Sequence, residues 1–310
     1  MPQGSIVKAL SGYYYVLPEG QRLQDGGLVQ CRARGVFKKK GITPLVGDDV
    51  QFELTENGEG TVTEIKPRFS ELIRPPIANV RLAALVFAVA EPTLNLQLLD
   101  KFLVHIEKSG LDALLIFTKS DLLVADGEAG GGSGAMAASE LERICALYAG
   151  IGYRVVTTSS RVQEGIPAVL EHLGGTISVF AGQSGVGKSS LLNAMISGLE
   201  LETNAISQRL GRGKHTTRHV ELLPLDGGGY VADTPGFSQL DFVELEVENL
   251  GACFREFAQP AETCRFRGCL HLHEPGCKVR EEVEQGGIAR SRYEHYITFL
   301  AEMKDKKRRY

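Results

Sequence analysis

The chain has no apolar run long enough to cross a bilayer, and Met1 to Leu10 lack the charged-then-apolar pattern of a secretory signal. A cytoplasmic protein with no membrane partner is expected. Net charge is also small. A formal −4 over 310 residues gives no global nucleic-acid signature, so any RNA contact must come from local patches. A disulfide framework is missing too: of six cysteines, Cys31, Cys145 and Cys253 are scattered, while Cys264, Cys269 and Cys277 cluster, which suits a reducing compartment. What remains is an ordinary globular composition, long enough for about two or three domains with cores of their own. A monomer is the default expectation.

Residues 1–70 read as all-β. Runs such as Gly12-Tyr13-Tyr14-Tyr15-Val16, Leu28 to Ala33 and Asp49 to Leu54 are cut by Gly, Pro and Asn-Gly turns, which suggests a small OB-type β-barrel. One stretch is basic, with Arg32, Arg34, Lys38, Lys39 and Lys40 around Phe37. It reads either as a phosphate-tracking loop with Phe37 or a tyrosine as a stacking surface, or as a solvated loop. Residues 67–77 carry Pro67, Pro75 and Pro76 and read as a connector. Beyond it strands and helices alternate. Arg81 to Ala90 is a buried strand, Leu94 to Ser109 an amphipathic helix, and Asp112 to Phe117 a strand. Ala125 to Ser139 is a Gly- and Ala-rich loop, Ser139 caps the next helix, and Tyr153 to Thr157 is a further strand. The alternation predicts a doubly wound parallel sheet over 71–243.

Within it, Gly182-Gln183-Ser184-Gly185-Val186-Gly187-Lys188-Ser189 lies between an apolar β-branched strand (Thr176 to Ala181) and a helix starting at Ser190. Strand, G-x4-G-K-S and helix make a P-loop. Glycines let successive backbone N–H groups point at a phosphate, and the helix N-terminus adds partial positive charge. Lys188 would reach the outer phosphates and the Ser189 hydroxyl would hold Mg²⁺.

After the Asp112 strand comes Thr118-Lys119-Ser120-Asp121. At the carboxyl edge of a parallel sheet it sits where ligands bind. A carboxylate at Asp121 can accept from guanine N1–H and the exocyclic amine; adenine offers no such pair and would leave the charge unpaired. Lys119 would lie along the base.

Downstream, Cys264-x4-Cys269-x-His271-x5-Cys277 supplies three thiolates and an imidazole, a closed structural zinc set in a C-terminal segment, 244–310, too small to fold on its own apolar core. His273 is an alternative fourth ligand. A helix from about Ile288 to Met303 follows. Lys304, Lys306, Lys307, Arg308 and Arg309 then read as a disordered RNA-contacting arm or a solvated end.

Here a resemblance enters. GTPases read guanine with N/T-K-x-D, and this chain places that motif before its P-loop, the reverse of the usual order. Thr158-Ser159-Ser160 resembles the loop that touches the guanine carbonyl. Gly211-Arg212-Gly213-Lys214-His215-Thr216-Thr217 and Asp233-Thr234-Pro235-Gly236-Phe237 resemble the first and second switches. Over its whole length the chain resembles the circularly permuted GTPases, most closely the bacterial ribosome small-subunit-dependent ones. The resemblance implies GTP as substrate and an Mg²⁺ ion held by Ser189, Asp233 and one of Thr216 and Thr217. It also implies a γ-phosphate contact from the Gly236 N–H, and the small ribosomal subunit with its rRNA as partner. Thr118 stands where Asn is commoner, which would loosen the support of the guanine loop. Phe237 stands where many GTPases carry the Gln that orients the attacking water. His215 is then the candidate to orient or deprotonate that water, against a plain loop histidine or an RNA contact. A GTP-regulated RNA-binding module with incidental hydrolysis, and a P-loop kinase or ATPase, are the competing classes.

Overall fold

Alternating apolar and polar residues build five strands at the N-terminus of the computed structural model, which describes residues 1–73, 76–126, 136–199, 201, 220–233 and 245–309. They are β1 (Gln3–Leu10), β2 (Tyr13–Pro18), β3 (Val29–Ala33), β4 (Asp49–Leu54) and β5 (Gly60–Ile65). Their order is β1-β2-β3-β5-β4, and β4 pairs back onto β1, closing the expected barrel. Ile6, Val16, Cys31, Val50, Phe52 and Val62 fill it. A fully buried aliphatic or Phe side chain contributes about 1.5–3 kcal/mol by leaving water.

One expectation fails in this region. Phe37 is no stacking surface: Gly35–Lys39 forms a short helix that turns its ring into the core and leaves Lys38, Lys39 and Lys40 in solvent. Burying the ring removes more apolar area from water than any lysine stem on that turn could. The proline-bearing connector has regular structure of its own. Glu71–Ile73 (β6) and Pro76–Ala78 (β7) pair antiparallel, and Ile77, fully buried, bridges to Val46 of the barrel region. Pro76 is tolerated because it opens its strand.

The central sheet comprises β8 (Val80–Ala88), β9 (Asp112–Thr118), β10 (Arg154–Thr157), β11 (Ile177–Ala181), β12 (Val220–Pro224) and β13 (Tyr230–Asp233). Its order is β10-β9-β8-β11-β13-β12, parallel except for β12. β8 lies in the middle, and all but one of its residues are buried, as its near-continuous apolar run predicts. The helix Leu96–Ser109 starts where the Asn95 side chain accepts the Leu98 N–H (2.9 Å) and stops at Gly110 in the left-handed conformation. Leu99, Phe102, Leu103 and Ile106 are its buried apolar face. The next helix, Ala138–Ile151, is not capped by Ser139. Ala137 holds that position, and the Ser139 hydroxyl donates to Asp126 instead (2.7 Å). Most of the Gly- and Ala-rich loop, 127–135, lies outside the described residues.

Barrel and central sheet are one structure. β1 pairs antiparallel with β12, Lys8 opposite Glu221, and the two side chains form an ion pair at 2.9 Å. An eleven-stranded sheet results.

The C-terminal part has little regular structure before the 20-residue helix Arg290–Arg309. The basic tail is therefore no disordered arm: it continues this helix, and no Gly or Pro after Gly287 interrupts it. Arg292, 1% exposed, fastens the helix to the central domain. Its Nη1 donates to Asp100 (2.5 Å), and its Nε and Nη2 fork onto Glu256 (2.7 and 3.0 Å). Asp100 also accepts the Tyr148 hydroxyl (2.7 Å). Removing one member strands a buried charge, so Arg292→Met is expected to cost about 3–5 kcal/mol in urea denaturation. The Asp100→Asn, Arg292→Met double variant should lose less than the sum of its singles; additive losses would show that the pair is not coupled.

Candidate functional site

β11 ends at Ala181, and the helix Lys188–Met195 begins six residues of loop later. Gly182 (φ +144°) is indispensable to the exit, because a Cβ there would stand 2.1 Å from the Val86 carbonyl oxygen. Gly187, at φ +94°, starts the helix. Val186 is buried and anchors the loop, while Ser184 and Gly185 face solvent. Lys188 curls back over the loop, donating to the carbonyls of Gly182 (2.8 Å) and Gln183 (2.5 Å). Burial pushes its ammonium down to about 8. Ser189 is buried in the first helical turn, with Ser190 beside it half-buried. Asp233 closes β13 one residue beyond the Val179–Ala232 pair, at the carboxyl edge from which the P-loop leaves.

The guanine-type loop meets the P-loop directly. Thr118, at the end of β9, donates its hydroxyl to the Val186 carbonyl (2.5 Å) and lies 3.3 Å from the Phe87 carbonyl. Threonine thus does not loosen the loop. Its hydroxyl reaches across the buried strand end and ties the two motifs together. Lys119 follows in the left-handed conformation (φ +61°), a strained state typical of functional loops, with Nζ on the Glu91 carbonyl. Asp121 Oδ1 accepts the hydroxyl of the buried Ser159 (2.6 Å), and Oδ2 lies 3.8 Å from the Arg161 guanidinium. The Ser120 N–H donates to the Thr158 carbonyl (3.1 Å), joining this loop to the one after β10.

Sequence reasoning missed Glu91, Pro92 and Arg161. Pro92 lies 3.9 Å from where a Cβ on Gly185 would be, so the loop after β8 walls the site from the side opposite β10. The rule that ligands sit outside the carboxyl ends of parallel strands could have found it. His215, Thr216 and Thr217 of the first switch, and Thr234 to Phe237 with Gly236 of the second, lie outside the described residues.

A second site lies in the C-terminal part. Cys264, Cys269, His271 and Cys277 bring one ligand atom each within 4.8 Å of the others. His271 Nδ1 is 3.7 Å from the Cys264 sulfur and 3.4 Å from that of Cys277, and the two sulfurs are 4.0 Å apart. A tetrahedral zinc ion with ordinary bond lengths needs edges of roughly 3.6–3.8 Å, so the donor set fits. His273, the alternative, is exposed and outside the cluster. The loop is pre-shaped. Glu274 accepts the N–H groups of Leu270, Leu272 and His273; burial opposes its charge, yet these donors hold the carboxyl down to about 2. Tyr293 and Tyr296 clamp the His271 and Leu270 carbonyls (2.6 and 2.7 Å). Chelation is expected to release one zinc per chain and expose amides of 258–285 to hydrogen exchange, leaving β8, β9 and β11 protected. Unchanged exchange after the metal is stripped would make the ion dispensable.

Comparison with known proteins matches this architecture. Residues 65–243 match the family model of the RsgA GTPase, and residues 3–62 that of the RsgA N-terminal domain. The chain is 50% identical, over 100% of both lengths, to the small ribosomal subunit biogenesis GTPase RsgA of Bacillus pumilus (strain SAFR-032). It is 49% identical, again over 100% of both, to that of Bacillus subtilis (strain 168). Among solved structures it resembles YloQ, a circularly permuted GTPase, with TM-score 0.81 and 44% identity over 99% of this chain and 96% of that one. YjeQ from Thermotoga maritima gives TM-score 0.83 and 36% identity over 97% and 98%. With the guanine-type loop ahead of the P-loop in sequence and bonded to it in space, and with likeness running end to end, the chain belongs to the RsgA GTPase family.

Proposed function

We propose that this GTPase binds GTP·Mg²⁺ between the loops at 118–121 and 182–190 and spends its hydrolysis on a late step in building the small ribosomal subunit. The observation that carries the nucleotide site is the Thr118–Val186 bond, which sets the base-reading and phosphate-holding loops at a fixed distance. In this reading Asp121 accepts from guanine, Ser159 orients that carboxylate, and Lys119 leaves the Glu91 carbonyl to lie along the base. Loop residues Gly182 to Gly187 offer backbone N–H groups to the phosphates, and Lys188 turns from its carbonyls onto them. Ser190 lines the same turn. Ser189 and Asp233, with Thr216 or Thr217, would hold Mg²⁺, which supplies charge neutralisation on the phosphates when bound. Water then attacks the γ-phosphorus; the new P–O bond replaces the bridging P–O bond to the β-phosphate, and GDP leaves with phosphate.

The partner follows from the relatives, whose names assign them to small-subunit biogenesis. We divide the chain into a barrel (1–70), a permuted GTPase domain (71–243) and a zinc-bearing helical domain (244–310), the outer two facing rRNA. The exposed Lys38 to Lys40 and the charged C-terminal helix support that orientation. A cytoplasmic monomer is proposed. Among the described residues no helix is long and apolar enough to cross a membrane.

GTP turnover with purified small subunits, large subunits or neither tests this function. Stimulation by small subunits alone is expected, and equal rates in all three would leave only a GTP-regulated binding module. Because Phe237 replaces a water-orienting Gln, His215→Ala is expected to lower stimulated turnover by about a hundredfold or more with nucleotide affinity unchanged, the weight of one positioned base. Full turnover in that variant would remove His215 from the mechanism.

A further inference from the structure

A cleft of about 290 Å³ opens at the seam between barrel and central sheet, lined by Asp49 on one side, Phe69 in the linker, and Asn79, Arg81 and Thr176 on the other. It sits at the amino ends of β8 and β11, whereas the P-loop and the loop at 118–121 leave from the carboxyl ends of their strands. Phe69 is 63% exposed, and the Arg81 guanidinium stands 5.5 Å over its ring centroid. A single exposed aromatic is ordinary on a protein surface. What is not ordinary is how firmly this one is held out. Its own N–H donates to the Asn79 side chain (3.1 Å). Asn79, nearly buried at φ +58°, also donates through its side chain to the Gly47 carbonyl (2.9 Å) and through its backbone to that of Ser70 (2.9 Å). On the other side Arg68 grips the fully buried Asp48 with two bonds (2.7 and 2.8 Å) and reaches the Thr43 carbonyl and Glu71. A buried ion pair and a left-handed asparagine thus fix the backbone on both sides of a ring that remains in water.

We infer that Phe69 and Arg81 form a platform for one unpaired RNA base, with Phe69 stacking on its face and Arg81 taking the adjoining phosphate. Any base has a π-face, and stacking on an aromatic beside an arginine is a common way of holding single-stranded RNA. The cleft is at the small end of ligand pockets, which suits one base better than a whole cofactor. The exposed Asp49 carboxylate within it, whose Oδ1 takes the Ser5 hydroxyl (2.6 Å), disfavours an acidic peptide and keeps Oδ2 to accept an N–H from a base edge. Because barrel, linker and GTPase residues all line it, an occupant touches both domains at once.

This inference rests on the small subunit being the partner, and the experiment separates the two. The chain has no tryptophan, so Phe69→Trp places a single indole at the platform. Titrating that variant with purified small subunits in the presence of a non-hydrolysable GTP analogue is expected to quench its emission as a base stacks. Phe69→Ala and Arg81→Ala should each weaken subunit binding on the order of tenfold while Phe69→Tyr binds as wild type and GTP affinity stays constant in all. Wild-type protein that fails to pellet with small subunits would overturn the partner assignment itself. Wild-type binding with an unquenched indole, or a blue-shifted and brighter one signalling protein against the ring, overturns the RNA platform alone. So does undiminished binding by Phe69→Ala.

Discussion

Asp121→Asn is expected to invert the nucleotide preference of the protein, with GTP affinity falling and that for xanthosine triphosphate rising. In the proposed site the carboxylate would accept two N–H groups from guanine; an amide keeps one acceptor oxygen and puts an NH2 donor where the other stood, which would meet the extra carbonyl of xanthine and oppose the guanine amine. A site built around such a bond rejects the ligand that leaves it unmet by roughly 10⁴-fold. Ser159 sharpens the expectation. Its hydroxyl donates to Oδ1 at 2.6 Å, which the Asn side-chain oxygen can still accept, so the amide nitrogen is steered toward the base. Competition between the two triphosphates for the variant is the measurement. Retention of guanine preference would take Asp121 out of base recognition and with it the assignment of the whole 118–121 loop.

Lys188→Met should lower GTP affinity by roughly 10³-fold, as expected when one side of a desolvated charge pair is removed, and yet leave the nucleotide-free fold as stable or more so. The opposite signs have one cause. The ammonium is buried against the Gly182 and Gln183 carbonyls, and burial lowers its pKa from 10.5 to about 8. The folded state therefore holds its proton less tightly than the unfolded chain. The penalty is full below about 8 and is relieved as pH rises from about 8 to 10.5. Stability of the wild-type apo protein should rise relative to Lys188→Met across that window. Triphosphate binding, which favours the charged form, should take up a proton near pH 8.5, about half a unit above the lowered pKa. Calorimetry in buffers of different ionisation enthalpy reads this uptake. A buffer-independent heat, or a variant that melts well below wild type at pH 7, would mean that Lys188 is not strained in the empty site.

The C-terminal domain is held to the nucleotide domain by more than the chain that joins them. Arg255 pairs with Glu107 (2.7 Å) and Lys101 with Glu302 (2.9 Å), on either side of the buried Arg292–Asp100 contact. All three fall on the helix Leu96–Ser109, which begins directly after the loop whose Glu91 carbonyl takes the Lys119 ammonium. The part that carries the Cys/His set and the loop beside Lys119 are thereby attached to one helix, an arrangement with no trace in motif spacing.

Residue chemistry at short range was enough to single out the Cys/His set that the fold brings together, and to propose the loops at 118–121 and 182–189. Each needs particular residue types a few positions apart, and local geometry does the rest. Short turn-bounded strands, and after them the alternation of strands with helices, were likewise enough for a barrel followed by a parallel sheet. Packing between distant segments decided what spacing cannot. Thr118 finds Val186 across 68 positions, β1 pairs with β12 across more than 200, and β8 lies between β9 and β11, the strands from which the two loops leave. It also decided which way equivocal residues face: Phe37 turned inward, His271 chosen over His273, Phe69 held in water. Burial depends on how much surface the rest of the chain can cover at a point, and that is a property of the assembled fold rather than of any stretch of sequence.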